Sequence, residues 1–274
     1  MKKSTGVGRP DPWNELSRLT SARVGLGRAG GSLPTAALLR FQLAHAQARD
    51  AVQLGLDAEA LAKRLGASGH EVLRLHSAAA DRAAYIARPD LGRILSEPSR
   101  TALEDRPRPD TPFDCVFVIA DGLSARAAEA HAAALLDSVA PRLREDGWSL
   151  APVCIVEQGR VAVADEVGAL LGARMSVILI GERPGLSSPD SLGIYLTYDP
   201  IPGRSNAERN CISNVRPPEG LSYALAAHKL SFLMNEARTR KLSGVELKES
   251  APAIGDAAAA SLASSGEAAS REAP

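Results

Sequence analysis

The chain has 274 residues, 45% of them hydrophobic and 23% charged, enough to bury one large core or two small ones. Its 32 basic and 32 acidic side chains cancel, which argues against nucleic acid or an anionic membrane as partner, since neither would be drawn to the whole surface. No apolar run approaches the roughly 20 residues that span a bilayer, and three cysteines without metal-type spacing make no disulfide framework.

The first residues, M-K-K-S-T-G-V-G-R-P, have the lysines of a signal peptide but no apolar stretch behind them, so the chain is expected to stay in the cytoplasm. Asp11-Pro12 opens a helix, a carboxylate cap followed by proline, expected to run to about Arg23. Next, G-L-G-R-A-G (Gly25 to Gly30) formally matches the dinucleotide fingerprint, with Asp50 about 20 positions on. That fingerprint needs a buried strand directly before it, and S-R-L-T-S-A-R-V is polar and helix-like. The stretch reads as a glycine-rich connector. Pro34 starts a second helix, with Leu38, Phe41, His45, Ala48 and Val52 recurring along its inward face. Further helices are expected over Leu56 to Leu65 and Glu71 to Ile86. R-P-D-L-G-R (Arg88 to Arg93) is a turn with two arginines around an aspartate. Glu97 to Thr111, with its prolines and alternating charges, reads as a linker. Residues 1–110 are therefore expected to be a helical region and its linker.

From there the pattern becomes strand–helix alternation, which predicts an α/β unit over 111–249: a Rossmann-like, mainly parallel sheet with flanking helices. Asp114 to Ala120 is a strand, Asp121-Gly122 a turn, and Ser124 to Leu143 a long alanine-rich helix. Pro152 to Glu157 is the second strand, followed by the Gln158-Gly159 turn, an extended Arg160 to Val163 and a short helix to Leu171. Met175 to Ile180 is the third strand, an apolar run broken by Gly181, which delivers Glu182 and Arg183 to its end. Ser191 to Tyr198 is the fourth strand, and Leu221 to Lys241 the closing helix. Each strand is followed by a polar residue, Asp121, Glu157 or Gln158, Glu182 and Asp199. In a parallel sheet these converge on one rim, where ligands sit. Residues 250–274 are Ala, Ser, Gly and Glu with too little bulk to bury, and should be disordered.

Several chemistries lack their parts. There is no G-x-x-x-x-G-K-[ST] for a P-loop enzyme, no second glycine after Gly122-Leu123-Ser124 for a nucleophile elbow, and no H-x-x-x-H pair among the five histidines for zinc. Cys115 and Cys154 fall inside strands as small apolar side chains, whereas Cys211 in R-N-C-I-S-N could line a site. No catalytic constellation and no metal site emerges from the residues themselves. They offer a binding rim.

The order of A-R-V-G-L-G-R-A-G, Y-I-A-R-P-D-L-G-R, V-I-A-D-G-L-S, G-R-V-A-V-A-D-E-V-G, I-G-E-R-P-G-L-S-S-P-D-S-L-G-I-Y, R-N-C-I-S-N and K-L-S-G-V-E-L-K, over roughly residues 11–248, resembles the small subunit of ethanolamine ammonia-lyases. The resemblance implies a carbon–nitrogen lyase that turns ethanolamine into acetaldehyde and ammonia. Its cofactor would be adenosylcobalamin, acting through Co–C homolysis and a 5′-deoxyadenosyl radical. It implies a hetero-oligomer whose large, TIM-barrel subunit carries the substrate, with the cobalamin between the two chains and no catalytic residue on this one. Carried over position by position, the cobalamin contacts are Val161 in G-R-V, Glu182 in G-E-R-P-G-L and Cys211 in N-C-I-S-N. Ionised Glu182 can accept charge-assisted hydrogen bonds, Val161 offers its backbone, and Cys211 a small, soft contact beside the macrocycle. The D-x-H-x-x-G of proteins that replace the cofactor's own base with histidine is missing, as this class implies. Some relatives carry a longer N-terminal extension associated with a protein-shelled bacterial microcompartment; here about ten residues precede the first helix, so the cytoplasm and the microcompartment both stay open. Two other readings stand beside this one: a stand-alone dinucleotide-dependent oxidoreductase using the same rim, and a purely structural assembly subunit.

Overall fold

The structure, a computed structural model, describes residues 11–107 and 109–251. Its strands are β1 (Val72–His76), β2 (Val116–Ala120), β3 (Val153–Glu157), β4 (Met175–Gly181), β5 (Leu192–Tyr198) and β6 (Arg209–Val215). They form one sheet in the order β1-β3-β2-β4-β5-β6. The first four in that order are parallel, while β5 runs antiparallel to both β4 and β6. The helices are α1 (Thr35–Gln53), α2 (Ala58–Ala67), α3 (Arg82–Ala87), α4 (Glu97–Glu104), α5 (Ala125–Glu145), α6 (Val163–Leu171) and α7 (Tyr223–Arg240). The α/β architecture with flanking helices is as expected from the sequence.

Both faces of the sheet are covered, which explains why its central strands read as unbroken apolar runs. Phe117 and Ile119 of β2 join the core under α2, α5 and α7, and their neighbours Val116, Val118 and Ala120 join the core under α4 and α6. Helix α5 begins where Ser124 accepts a hydrogen bond from the Ala127 N–H, the side-chain cap expected of serine. Its alanines, Ala125, Ala128 and Ala132 among them, are buried and let the helix lie close against the strands.

The structure corrects the sequence reading in five places. Glu71 to Ile86 is not one helix: β1 pairs with β3 along Val72 to His76, and α3 follows. Strand pairing decided that segment over its local helical spacing, and the sheet therefore extends across residue 110. The expected linker contains α4, in which Pro98 occupies the first turn, where proline is tolerated. The first helix is a short 3₁₀ run, Pro12–Arg18, capped by Asp11, and no strand precedes Gly25 among the described residues. The buried positions of α1 are Ala37, Ala44 and Ala51; Leu39 and Leu43 are 58% and 60% exposed, and Leu38, Phe41 and His45 also face out. Finally, β5 is antiparallel, and R-N-C-I-S-N, given no element from the sequence, pairs with it as strand β6. The expected disordered tail lies outside the described residues from position 252 on.

Candidate functional site

Strands β2 and β4 are neighbours whose ends lead in opposite directions, β2 through α5 to β3 and β4 to β5. Ligands of open α/β sheets bind at such a divergence, and here a cleft of about 690 Å³ opens. The two strand ends close against each other, with the Leu123 N–H donating to the Gly181 carbonyl at 3.0 Å. Gly122 makes this approach feasible. Its φ is +55°, and a Cβ there would collide with the same carbonyl.

The expected rim residues divide into three groups. Asp121 is completely buried and does not reach the cleft. It accepts from the Gly159 N–H at 3.0 Å and from Arg82 at 3.2 Å, and Arg82 also donates to the Val52 carbonyl at 2.7 Å and to Gln158 at 3.3 Å. Asp121, Gln158 and Arg82 thus form a strut joining the ends of β2, β3 and α1. Burial raises the Asp121 carboxyl to about 6 against the opposing pull of Arg82. Asp199 lies at the other end of the sheet, because β5 is antiparallel; its N–H donates to the Arg174 carbonyl beside the start of β4. Of the expected rim, Glu182 opens into the cleft.

Glu182 is held from three sides. The Ser191 hydroxyl donates to Oε2 at 2.6 Å, the Ser213 hydroxyl to Oε1, and the Asn214 N–H to Oε2 at 3.3 Å. Ser191 precedes β5, and Ser213 and Asn214 belong to β6. Arg183, its neighbour in the sequence, is exposed, forms no ion pair with it and makes no hydrogen bond among the described residues.

Val161 lines the same cleft as Glu182, in the turn before α6 and not in extended backbone as expected. Its side chain packs toward the core under α6. Cys211 stands at the border: it lies directly opposite Tyr195 of β5, which does line the cleft, and directly opposed residues share a face. Burial, with Glu182 nearby, pushes the Cys211 thiol up, so it stays protonated at neutral pH. Tyr195 is pushed up to about 12, first by burial and then by its Cys211 and Glu182 neighbours.

Sequence reasoning gave no role to four of the five arginines of this cleft, Arg93, Arg160, Arg204 and Arg209, although Arg93 ends R-P-D-L-G-R and Arg160 sits inside G-R-V. Arg160 is well fixed. Its N–H donates to the Gly92 carbonyl at 2.7 Å, its Nη2 to the Tyr85 carbonyl at 3.0 Å, and its guanidinium lies 4.3 Å from the centroid of the Tyr85 ring. Arg209 forms a buried bidentate pair with Asp165 at 2.6 and 2.7 Å. Among the described residues no helix is long and apolar enough to cross a membrane, and no group of three or more His, Cys, Asp or Glu side chains is placed to hold a metal ion.

Residues 10–248 match the family profile described as ethanolamine ammonia-lyase light chain (EutC). The chain is 62% identical over 242 residues to the ethanolamine ammonia-lyase small subunit of Azotobacter vinelandii, covering 88% of this chain and 89% of that one. The small subunit from Ralstonia nicotianae shows the same identity and coverage. That of Pseudomonas syringae pv. tomato is 58% identical over 88% of this chain and 84% of its own.

Proposed function

The chain belongs to the ethanolamine ammonia-lyase light-chain family, and from that membership we propose that it forms the cobalamin-holding wall of a two-subunit lyase. In this reading a large subunit with a TIM-type barrel closes the other side and handles ethanolamine. The complex would work in the cytoplasm, free or inside a bacterial microcompartment. The observation that carries the reading is the cleft at the β2–β4 divergence, with Val161 and Glu182 in its lining and Cys211 at its edge.

The residues present suit adenosylcobalamin. A corrinoid is rimmed by neutral amides, which need acceptors, and its nucleotide tail carries a phosphate, which needs donors. Glu182 supplies a carboxylate already oriented by Ser191, Ser213 and Asn214. Arg160 supplies a guanidinium in the cleft lining, fixed by its Nη2 bond to the Tyr85 carbonyl. The cleft is smaller than the whole cofactor, so it would take one edge and leave the rest to the partner. When bound, the cobalamin supplies the radical chemistry.

This chain's own contribution is to bind, orient and exclude water. Glu182 presents acceptor lone pairs, and the turn at Val161 presents backbone while its side chain packs inward. Cys211, protonated and small, leaves room where a larger side chain would collide. The large apolar side chains exposed on α1, Leu38, Leu39, Phe41 and Leu43, with Trp13, Leu16 and Leu19 before it, are of the kind that mark an interaction surface, which supports a permanent partner. The test is to compare the purified chain with its co-expressed complex. The chain alone should neither deaminate ethanolamine nor bind adenosylcobalamin tightly, and the complex should do both. Deamination by the chain alone would overturn the reading.

A further inference from the structure

A second cavity, of about 420 Å³, lies at the opposite end of the sheet from the cleft, where β1, β2 and β3 begin and α4, α5 and α6 end. The pairing of β2 with β3 is interrupted there. Cys115 faces Leu150 across an isolated bridge, and the regular ladder starts at Val118 with Cys154, so three steps along one segment match four along the other. The surplus residue is a bulge, which disrupts a ladder locally, and Pro152 within it has no N–H to donate. Phe117, Leu150 and the residues from Ala151 to Val153, which span this interruption, all line the cavity.

The lining is aromatic in a chain that has few aromatics. Phe113, Phe117 and Trp148 belong to it, three of the six Phe and Trp side chains in the sequence. Phe117 and Trp148 are 1% and 5% exposed, so an occupant would meet side chains already screened from water. Protein interiors leave few voids larger than a water molecule, and apolar voids well below this size take up an aromatic ring. The mouth, by contrast, is charged. Arg106 donates to Glu71 at 2.8 Å, and Arg144 donates to the His70 Nδ1 at 3.3 Å. Burial first, and the Arg144 charge second, lower the His70 pKa, so the ring is neutral at pH 7 and accepts this bond; its other nitrogen lies 3.6 Å from Asp137. Arg144 stands in the last turn of α5, where a cation suits the carbonyl end of the helix, and it has no carboxylate partner among the described residues. The described lining thus holds two guanidinium groups and one carboxylate. Guanidinium N–H groups beside an apolar slot are the donor set for a carboxylate carried on a ring.

We propose that this cavity is a second small-molecule site of the chain, taking a planar aromatic carboxylate of one or two rings, with the rings against Phe117 and Trp148 and the carboxylate at Arg144 and Arg106. The site stands independently of the cobalamin reading, because its residues precede the strands whose far ends form the cleft.

The test is a calorimetric titration of the two-subunit complex with 2-naphthoate and with its uncharged counterpart 2-naphthylmethanol. The acid should bind once per copy of this chain. Arg144→Gln, at an exposed side chain, should weaken the acid about tenfold and leave the alcohol unchanged. Leu170→Trp, which fills the cavity from α6, should abolish binding of both. Absence of acid binding to the unmodified complex, acid binding that survives Leu170→Trp, or equal losses of acid and alcohol in Arg144→Gln would each overturn the proposal. Should Leu170→Trp fail to assemble, the comparison of acid with alcohol in Arg144→Gln decides by itself.

Discussion

Replacing Glu182 by alanine removes the carboxylate that accepts three hydrogen bonds, from Ser191, Ser213 and the Asn214 N–H. Bonds to a charged group are worth about 1.5–3 kcal/mol each. Ser213 and Asn214 are exposed and regain water, so their losses largely cancel, whereas Ser191 is 6% exposed and keeps an unpaired hydroxyl. The stability cost should accordingly be near that of one such bond, about 2–3 kcal/mol. Ligand affinity should also fall, because Glu182 lines the cleft. A loss of about 1–3 kcal/mol corresponds to a roughly 5- to 150-fold higher Kd. Glu182→Gln keeps the volume and one acceptor oxygen, and should fall between alanine and the unmodified protein. The assay is adenosylcobalamin titration of the two-subunit complex by absorbance, with thermal unfolding measured in parallel. A lowered Tm with an unchanged Kd would show that Glu182 braces β4, β5 and β6 without meeting the ligand, and would refute its place in the site.

Three further outcomes follow from the geometry. Asp165→Ala strands the buried Arg209 guanidinium and should cost about 3–5 kcal/mol, while Asp165→Leu with Arg209→Met should recover most of that loss; urea denaturation of the three proteins checks it. The folded state binds a proton at Asp121 near pH 6, where the unfolded chain does so only near 3.8. The stability this group contributes is therefore full below about 4 and is lost as pH rises through about 6. Asp121→Asn should remove that component, so the difference in unfolding free energy between pH 5 and pH 7 should shift between the two proteins; identical pH profiles would disprove it. Gly122→Ala places a Cβ against the Gly181 carbonyl at a positive φ. It should cost at least about 1–3 kcal/mol and prise the β2 and β4 ends apart, read as a joint fall in Tm and in cobalamin affinity.

The central strands were legible because they are buried on both faces. V-F-V-I-A and M-S-V-I-L-I need no alternation to announce themselves, and the glycine that ends the second of them marks where Glu182 emerges. By contrast, R-N-C-I-S-N-V has no such signature: β6 pairs on one side only and shows polar residues along its length. Leaving it without an element hid the antiparallel edge, and with that the position of Asp199 at the far end of the sheet and of Ser213 beside Glu182. Helix α1 misled for a different reason. Its large apolar residues were assigned inward by the ordinary rule, yet alanines make the intramolecular contact and leucines face out, as suits a helix whose second face awaits another chain. The arginine balance of the cleft could not be read from sequence at all. That Arg209 is neutralised depends on Asp165, 44 residues away, and that Glu166 is neutralised depends on Arg100, 66 residues away.

The bonds to Glu182 from Ser213 and Asn214 span 31 and 32 residues. Such non-local pairings form late, because the intervening chain must first give up its freedom. A nascent chain released before residue 213 would possess β4 and its emerging carboxylate with one of its three donors, the Ser191 hydroxyl. The full setting of this carboxylate is thereby confined to polypeptides whose synthesis has passed the last strand.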